Sequence, residues 1–359
     1  MLNYIFLFLS LFNSHETITL DSNFNRKGFF DNDYCIFNGN LAYYSKLMNN
    51  DCEIKLFTIS NPSKKYLIHV NKEFNNYNTC NMMLVSNIAT YKDSLYLITS
   101  KKILKYVYNP KSDSIEFSKY IDLVGILNKD ILYFANELYL DYPYIYGIKS
   151  EYNSKRLDEG VFYYFKINLN DNFDNKFHSI DYPAGFYWTV AGPRNIIDFS
   201  KSQYLVTDIT KYEIRIFNTN DSLIETISRN PDFWRASTYK NEKFKDKHPM
   251  EIFNYIKDDS STKSLIHRVN FMNENRIMVC YSNEKQNSDN IFDYFYDVWE
   301  RNDSKWELKQ SDLESDILNE KFGVKLIPNY QIIENKLLIP ETDEINKLYK
   351  LNILKYDSK

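Results

Sequence analysis

PRNIIDFSKSQYLVTDITKYEIRIFNTNDSLIETISR, residues 193 to 229, alternates four short apolar segments with polar turns. The segments NIIDFS, QYLVTD, EIRIFN and SLIETIS are rich in Ile, Val, Leu, Tyr, Phe and Thr, whose branched or flat side chains suit a pleated surface. Between them stand Lys201-Ser202, the link Ile209 to Tyr212, and Asn220-Asp221. Asn and Asp tolerate the left-handed backbone that a tight hairpin demands. The stretch therefore reads as a four-stranded antiparallel meander. Alone it would leave two open edges and a bare apolar face, so it requires similar units packed against it.

Such units recur along the chain. Ser86 to Lys119 repeats the order of opening strand, polar turn, aliphatic strand, link, mixed strand and Asp-Ser turn, and His267 to Gln310 repeats it with a longer middle link. The turn before the last strand marks four copies: Ser112-Asp113-Ser114, Asn170-Asp171-Asn172, Asn220-Asp221-Ser222 and Asn302-Asp303-Ser304. Weaker copies run from Asp33 to Val70 and from Val324 to Tyr356. The last lacks a fourth strand, which Glu16 to Asp21 near the amino end can supply. The expected fold is all-β: a six-bladed β-propeller of four-stranded antiparallel blades, closed by pairing of an N-terminal strand with the last blade. The blades are expected at 33–70, 82–119, 131–181, 193–229, 266–310 and 324–356 plus 16–21, as a single domain over 16–359.

The anchor stretch resembles a blade of the NHL or TolB-like propellers. Pro193 before the inner strand, Leu205-Val206-Thr207-Asp208 closing the second, and Arg215-Ile216-Phe217 in the third carry the resemblance. Elsewhere the Asp is lost, with Ser100 after Ile98-Thr99 and Pro340 after Leu338-Ile339. As a whole the chain resembles the uncharacterised secreted six-bladed propeller proteins of Bacteroidetes. That resemblance is one of pattern and brings no catalytic signature.

Composition narrows the function classes. The 359 residues are 43% hydrophobic and 17% aromatic, which excludes a disordered chain, and no Pro/Gly/Ser linker divides them. A net charge of −4 with no concentrated Lys/Arg face argues against nucleic acid as a partner. The apolar run Tyr4 to Phe12 is far shorter than the ~20 residues of a membrane span, so no transmembrane span is expected. Its length fits an export signal over residues 1–15, although no Lys or Arg precedes it. An exported location, periplasmic, cell-surface or secreted, is the expectation. The alternative for this run is an N-terminal strand buried in the fold. Cys35, Cys52, Cys80 and Cys280 show no metal-binding spacing and read as free buried thiols.

Propeller topology brings the second-to-third links and the blade-to-blade links to one end of the ring. The long excursions, Ile148 to Gly160, Tyr281 to Asn290, Pro231 to Leu265 and Ser311 to Phe322, all occupy such links. His248 to Ile256 within the third is a candidate short helix. Long loops on one side of a rigid scaffold mark a binding face. Near the starts of the inner strands fall Asn87, Asn136, Asn195, Asn270 and Asn329, with Asp33 in the first blade. This amide ring would offer donors and acceptors without net charge, suited to a polyol, a sugar or a hard cation. Arg194, Arg268 and Trp188 lie beside it and could hold a carboxylate or an acidic sugar by forked hydrogen bonds and stacking.

Catalytic motifs are missing: the chain has no GxSxG, HExxH, Walker or GxGxxG pattern, and its five His residues are dispersed. The leading expectation is a noncatalytic, cofactor-free binding propeller that recognises a small polar ligand, a glycan or a protein through the looped face and channel mouth. The alternative is a hydrolase resembling the calcium-dependent lactonases, with Ca2+ held by Asp33, Asn195 and Asn270. No Glu occupies an equivalent inner-strand start, which weighs against it.

Overall fold

The computed structural model describes residues 8–20, 32–45, 53–70, 87–98, 102–122, 138–151, 161–170, 176–180, 197–237, 247–283, 293–343 and 348–357. Their strands form six four-stranded antiparallel sheets in a ring, a six-bladed β-propeller. In five blades the strands are consecutive in the chain, as a meander requires. The inner strands are Asn32–Phe37, Asn87–Tyr91, Leu138–Asp141, Ile197–Phe199, Leu265–Asn273 and Gln331–Ile333.

In the anchor blade the strands are Ile197–Phe199, Gln203–Asp208, Glu213–Asn218 and Leu223–Ser228, matching the four apolar segments. Alternation assigns the two faces. Leu205, Ile214, Ile216 and Ile227 are buried together with Val269, Ile277, Val279 and Trp299 of the fifth blade. Burying each such side chain contributes roughly 1.5–3 kcal/mol, so the interface between blades, rather than any single sheet, stabilises the ring. On the opposite face Tyr204 stacks on Phe217 at 5.1 Å.

The marker turns owe their recurrence to a backbone demand. Asp113, Asp221 and Asp303 adopt φ of 52°, 64° and 54°, the left-handed region in which Asp is among the better-tolerated side chains. Two of these carboxylates also accept tyrosine hydroxyls, Tyr108 to Asp113 at 2.8 Å and Tyr204 to Asp221 at 3.2 Å. The fourth marker, Asp171, lies outside the described residues.

Closure follows the expected route. The strand Phe12–Leu20 pairs antiparallel with Leu348–Tyr356 as the outermost strand of the sixth blade. It begins four residues before Glu16 because Phe12 is itself a core residue, edge-on to Phe8 at 5.3 Å and to Tyr356 at 6.3 Å. A helical turn at residues 8–11 precedes it, and Phe8 and Leu9 join the same buried cluster.

Strands run further into the long links than composition indicated. Tyr144–Glu151 and Val161–Asn168 keep their register out to Glu151 opposite Val161, so only residues 152–160 of that excursion lie between strands. Tyr281 and Ser282 end the strand Arg276–Ser282, and Ser311 to Glu314 end Lys305–Glu314. Polar residues continue these strands because backbone pairing, which all residues share, extends the ladder past the apolar segment. The helix of the fourth-to-fifth link, α1, spans Pro249–Thr262. His248 caps it, its ring Nδ1 accepting from Met250 N–H at 3.2 Å, and Pro opens the first turn. Ile252 and Ile256, four residues apart, form its buried stripe.

Candidate functional site

Inner strands from all six blades line a central cavity of about 1140 Å3. Among the described residues its wall runs from mid-strand positions such as Tyr34, Ile88 and Arg268 to the first hairpin turns at Asn38-Gly39, Lys92, Lys201, Glu274 and Glu334. A first hairpin turn lies at the opposite end of the inner strand from the link that enters it. The described cavity thus reaches the end of the ring away from the long links.

An inner strand is a sheet edge, and its unpaired N–H groups need acceptors. Side chains of the preceding blade supply them. The Tyr44 hydroxyl accepts from Ile88 N–H at 2.9 Å, Gln331 Oε1 from Tyr34 N–H at 3.2 Å, and Asp198 Oδ2 from Phe271 N–H at 2.7 Å. Each bond joins one blade to the next at the channel wall. Cavity-facing polar residues therefore hold the ring together as well as furnish it.

Asp198, Arg268 and Asn270 meet where the fourth and fifth blades adjoin. Arg268 Nε donates to Asn270 Oδ1 at 2.8 Å, one of its terminal nitrogens donates to the Pro328 carbonyl at 3.2 Å, and its guanidinium carbon sits 4.7 Å from the Tyr330 ring centre. Burial pushes the Asp198 carboxyl up to about 6, opposed by the Phe271 and Phe199 N–H groups, the Asn270 amide and the Arg268 charge. The outcome is a carboxylate on the cavity wall that titrates near neutral pH. Such a group can accept hydrogen bonds from a ligand or exchange a proton with it.

Of the residues singled out by sequence, Arg268 and Asn270 line this cavity. Asn87 opens its inner strand opposite Ile98, and Asp33 lies in an inner strand opposite Tyr44. Asn329 stands in the turn before the sixth inner strand with its buried Oδ1 lacking a hydrogen-bond partner among the described residues. Asn136, Trp188, Arg194 and Asn195 lie outside the described residues, as do the side chains of Asn87 and Asp33. For Ca2+, the described member of the suggested set is Asn270, whose Oδ1 already faces a guanidinium; that positive charge opposes a cation at the same oxygen. Among the described residues no three His, Cys, Asp or Glu side chains converge as a metal site.

Asp198 escaped the sequence reading because it stands inside an apolar strand motif. A signal was present: a charge between Ile197 and Phe199 is out of place in a buried strand unless something uses it.

A second polar cluster lies between the same two blades at the looped end. Asp297 accepts from Tyr212 at 2.6 Å, from Arg229 at 2.7 and 2.6 Å, from Tyr281 at 3.1 Å and from Asp312 N–H at 2.8 Å. Arg229 also pairs with Asp312, and Trp299 Nε1 donates to Tyr212 at 3.0 Å. Phe233, Trp234 and Phe295 pack against the hydrophobic core around it. Nearby, His267 shares a 2.7 Å hydrogen bond with the buried Ser282, and burial lowers its pKa to about 4. It is neutral at pH 7. Cys35 and Cys280 are buried thiols outside any disulfide, and burial pushes the Cys280 thiol up to about 12; Cys52 and Cys80 lie outside the described residues.

The chain matches no protein-family model and no curated protein. Solved structures it resembles include the N-terminal domain of Nup159, at 9% identity and TM-score 0.41, with 87% of this chain and 66% of that chain covered. The chain thus spans about two thirds of that domain's length. A putative 6-phosphogluconolactonase from Bacteroides fragilis is 11% identical, with TM-score 0.40 and 89% and 83% of the two chains covered. A catalytically inactive variant of virginiamycin B lyase from Staphylococcus aureus is 10% identical, with TM-score 0.39 and 96% and 100% covered. No helix among the described residues is long and apolar enough to cross a membrane.

Proposed function

We propose that this chain is a noncatalytic binding propeller that takes a small polar ligand into its central channel, with Asp198, Arg268 and Asn270 as the polar contacts. The supporting observation is the convergence of a carboxylate titrating near neutrality, a guanidinium and an amide on one wall of a 1140 Å3 cavity. A few placed polar groups in a largely preformed concavity are what small-ligand sites consist of. Arg194, Asn195, Trp188, Asn87, Asn136 and Asn329 extend the same proposal toward the looped end, where a glycan or a protein partner would dock. The NHL or TolB-like character of the fourth blade belongs to this reading. So does export, supported by the run Tyr4 to Phe12. Because Phe8, Leu9 and Phe12 are buried, amino-terminal sequencing of exported protein decides whether that run is removed or kept.

The test is a thermal-shift screen of polar metabolites followed by titration of any hit against Asn270→Ala and Asp198→Asn. Loss of one good hydrogen bond to a charged group weakens binding about tenfold or more. Undiminished binding in both variants removes the channel as the site. Melting with and without Ca2+ or EDTA tests the lactonase-like alternative: an unchanged midpoint is expected, and a rise with Ca2+ would favour the hydrolase.

A further inference from the structure

We infer that the ligand of this channel is an uncharged oligosaccharide that enters across the first hairpin turns. This rests on the channel-binding reading above and adds the ligand class and the entrance.

Charge is the first argument. Among the described lining residues, Lys92, Lys201 and Arg268 are balanced by Asp198, Glu274 and Glu334. A site for phosphate or nucleotide carries surplus positive charge, and a site for a divalent cation gathers carboxylates. This lining does neither. An apolar ligand fails for another reason, because it would strip water from these six groups and return no hydrogen bonds.

The neutral part of the wall combines aliphatic, aromatic and amide residues. Tyr139 and the partly exposed Tyr91 bring aromatic surface, Tyr34, Phe199 and Phe271 being buried, while Asn38, Asn273, Asn275 and Asn335 at the turns bring amides. A pyranose offers the complement, with C–H faces for rings and hydroxyl edges for groups that both donate and accept. The cavity also exceeds the roughly 300–1,000 Å3 of ordinary small-ligand pockets, leaving room for several sugar units.

A platform stands at the entrance. Tyr91, at the turn of the second blade, stacks on Tyr142, at the turn of the third, with ring centres 4.4 Å apart and planes within 2°. These are 36% and 38% exposed. Tyr91 and Lys92 belong to the cavity wall, and the Tyr142 hydroxyl donates to Asn170 at 2.8 Å. Stacked face to face across a blade junction, with Lys92 Nζ 5.3 Å from the Tyr91 ring centre, the two rings leave their edges and the outer Tyr142 face as a half-open aromatic rim beside the channel.

An array of neutral and acidic oligosaccharides, with ATP as a charged comparator, tests the inference, and calorimetry quantifies the hits. We expect a neutral oligosaccharide of three or more units to bind, as roughly estimated from pocket size. Tyr91→Ala and Tyr142→Ala should each weaken it about fivefold, the scale of one aromatic contact, and Tyr142→Phe should bind within about twofold. Unchanged melting of Tyr142→Phe guards against misfolding as the cause. Binding only to acidic sugars or ATP, lost in Asp198→Asn and kept in Tyr91→Ala, overturns the saccharide and the entrance while leaving channel binding intact. Neutral-sugar binding that survives Asp198→Asn, Asn270→Ala and both tyrosine variants overturns this inference and the channel reading together. An array without any neutral hit overturns the saccharide.

Discussion

Two aspartates lie between the fourth and fifth blades, one at each end of the junction. Asp297, at the looped end, receives hydrogen bonds from Tyr212, Arg229, Tyr281 and the Asp312 backbone. Asp198, at the channel, receives the Phe271 N–H and faces the cavity beside Asn270. A carboxylate has about four acceptor positions. Those of Asp297 are filled by the protein, so it is a clasp with nothing to offer a ligand. Asp198, with the Phe271 and Phe199 N–H groups and the Asn270 amide against it, keeps about one of its four on the cavity side. Burial raises the pKa of both, but at Asp297 the Arg229 charge stands directly against it, whereas at Asp198 the Arg268 charge is the smallest of the opposing influences. Saturation of the acceptor, more than depth, separates structural from available carboxylates here.

The largest expected effect tests the clasp. Asp297→Ala leaves Arg229 partly buried without its main partner and should cost about 3–5 kcal/mol, read from the urea midpoint. The double variant Asp297→Leu with Arg229→Met should recover only part of that loss, since it relieves the desolvation of the ion pair but strands the Tyr212 and Tyr281 hydroxyls and the Asp312 N–H. A single-variant cost below about 1 kcal/mol would mean that packing, and not the ion pair, joins the blades.

His267 gives the next effect, with a defined sign. Its folded pKa of about 4 lies below the ordinary 6.5, so its contribution is present above pH 6.5 and is lost as pH falls toward 4. The loss approaches about 3 kcal/mol. His267→Gln should flatten stability over that window, as measured by denaturation at pH 7, 5.5 and 4.5. An equally steep acid loss in the variant would place the cause elsewhere.

Asp198 titrates with the opposite sign. Its folded pKa of about 6 lies above 3.8, so its contribution is present below pH 4 and is lost as pH rises through 6. Because the group opens on the cavity, about 2 kcal/mol is the expected size. Asp198→Asn should therefore become more stable relative to the parent as pH rises from 4 to 7. No such divergence would mean that burial does not raise the Asp198 carboxyl and that the group is solvated at the cavity.

The smallest effect belongs to an exposed ion pair between the first and second blades. Lys64 meets Asp113 at 2.7 Å with both side chains about half exposed. Lys64→Ala should leave the melting midpoint unchanged in 0.5 M salt, because water and ions already screen that pair. A marked drop would show that blade junctions depend on surface charge, erasing the distinction drawn between buried and open carboxylates.

Much of the architecture was legible because it is encoded locally. Strand segments such as Gln203–Asp208 and Glu213–Asn218 carry their own two-residue period, and turn residues such as Asp221 carry their own backbone preference. The extent of the long links was less legible. Ile148 to Glu151 and Ser311 to Glu314 look like loop by composition, yet pair as strand because neighbouring ladders carry them along.

The sequence alone determined six repeated sheets and their marker turns, since each follows from side-chain period and hairpin chemistry within about forty residues, and the fourth strand missing from the last repeat pointed to the amino-terminal strand that closes the ring. Tertiary structure alone decided what each polar residue does. Arg268, which reads as a ligand anchor, is engaged by Asn270, Pro328 and Tyr330, whereas Asp198, which reads as part of a strand, reaches Phe271 and the cavity. Those partners lie up to 73 positions away, and no local pattern records which distant edge a closed ring will bring alongside.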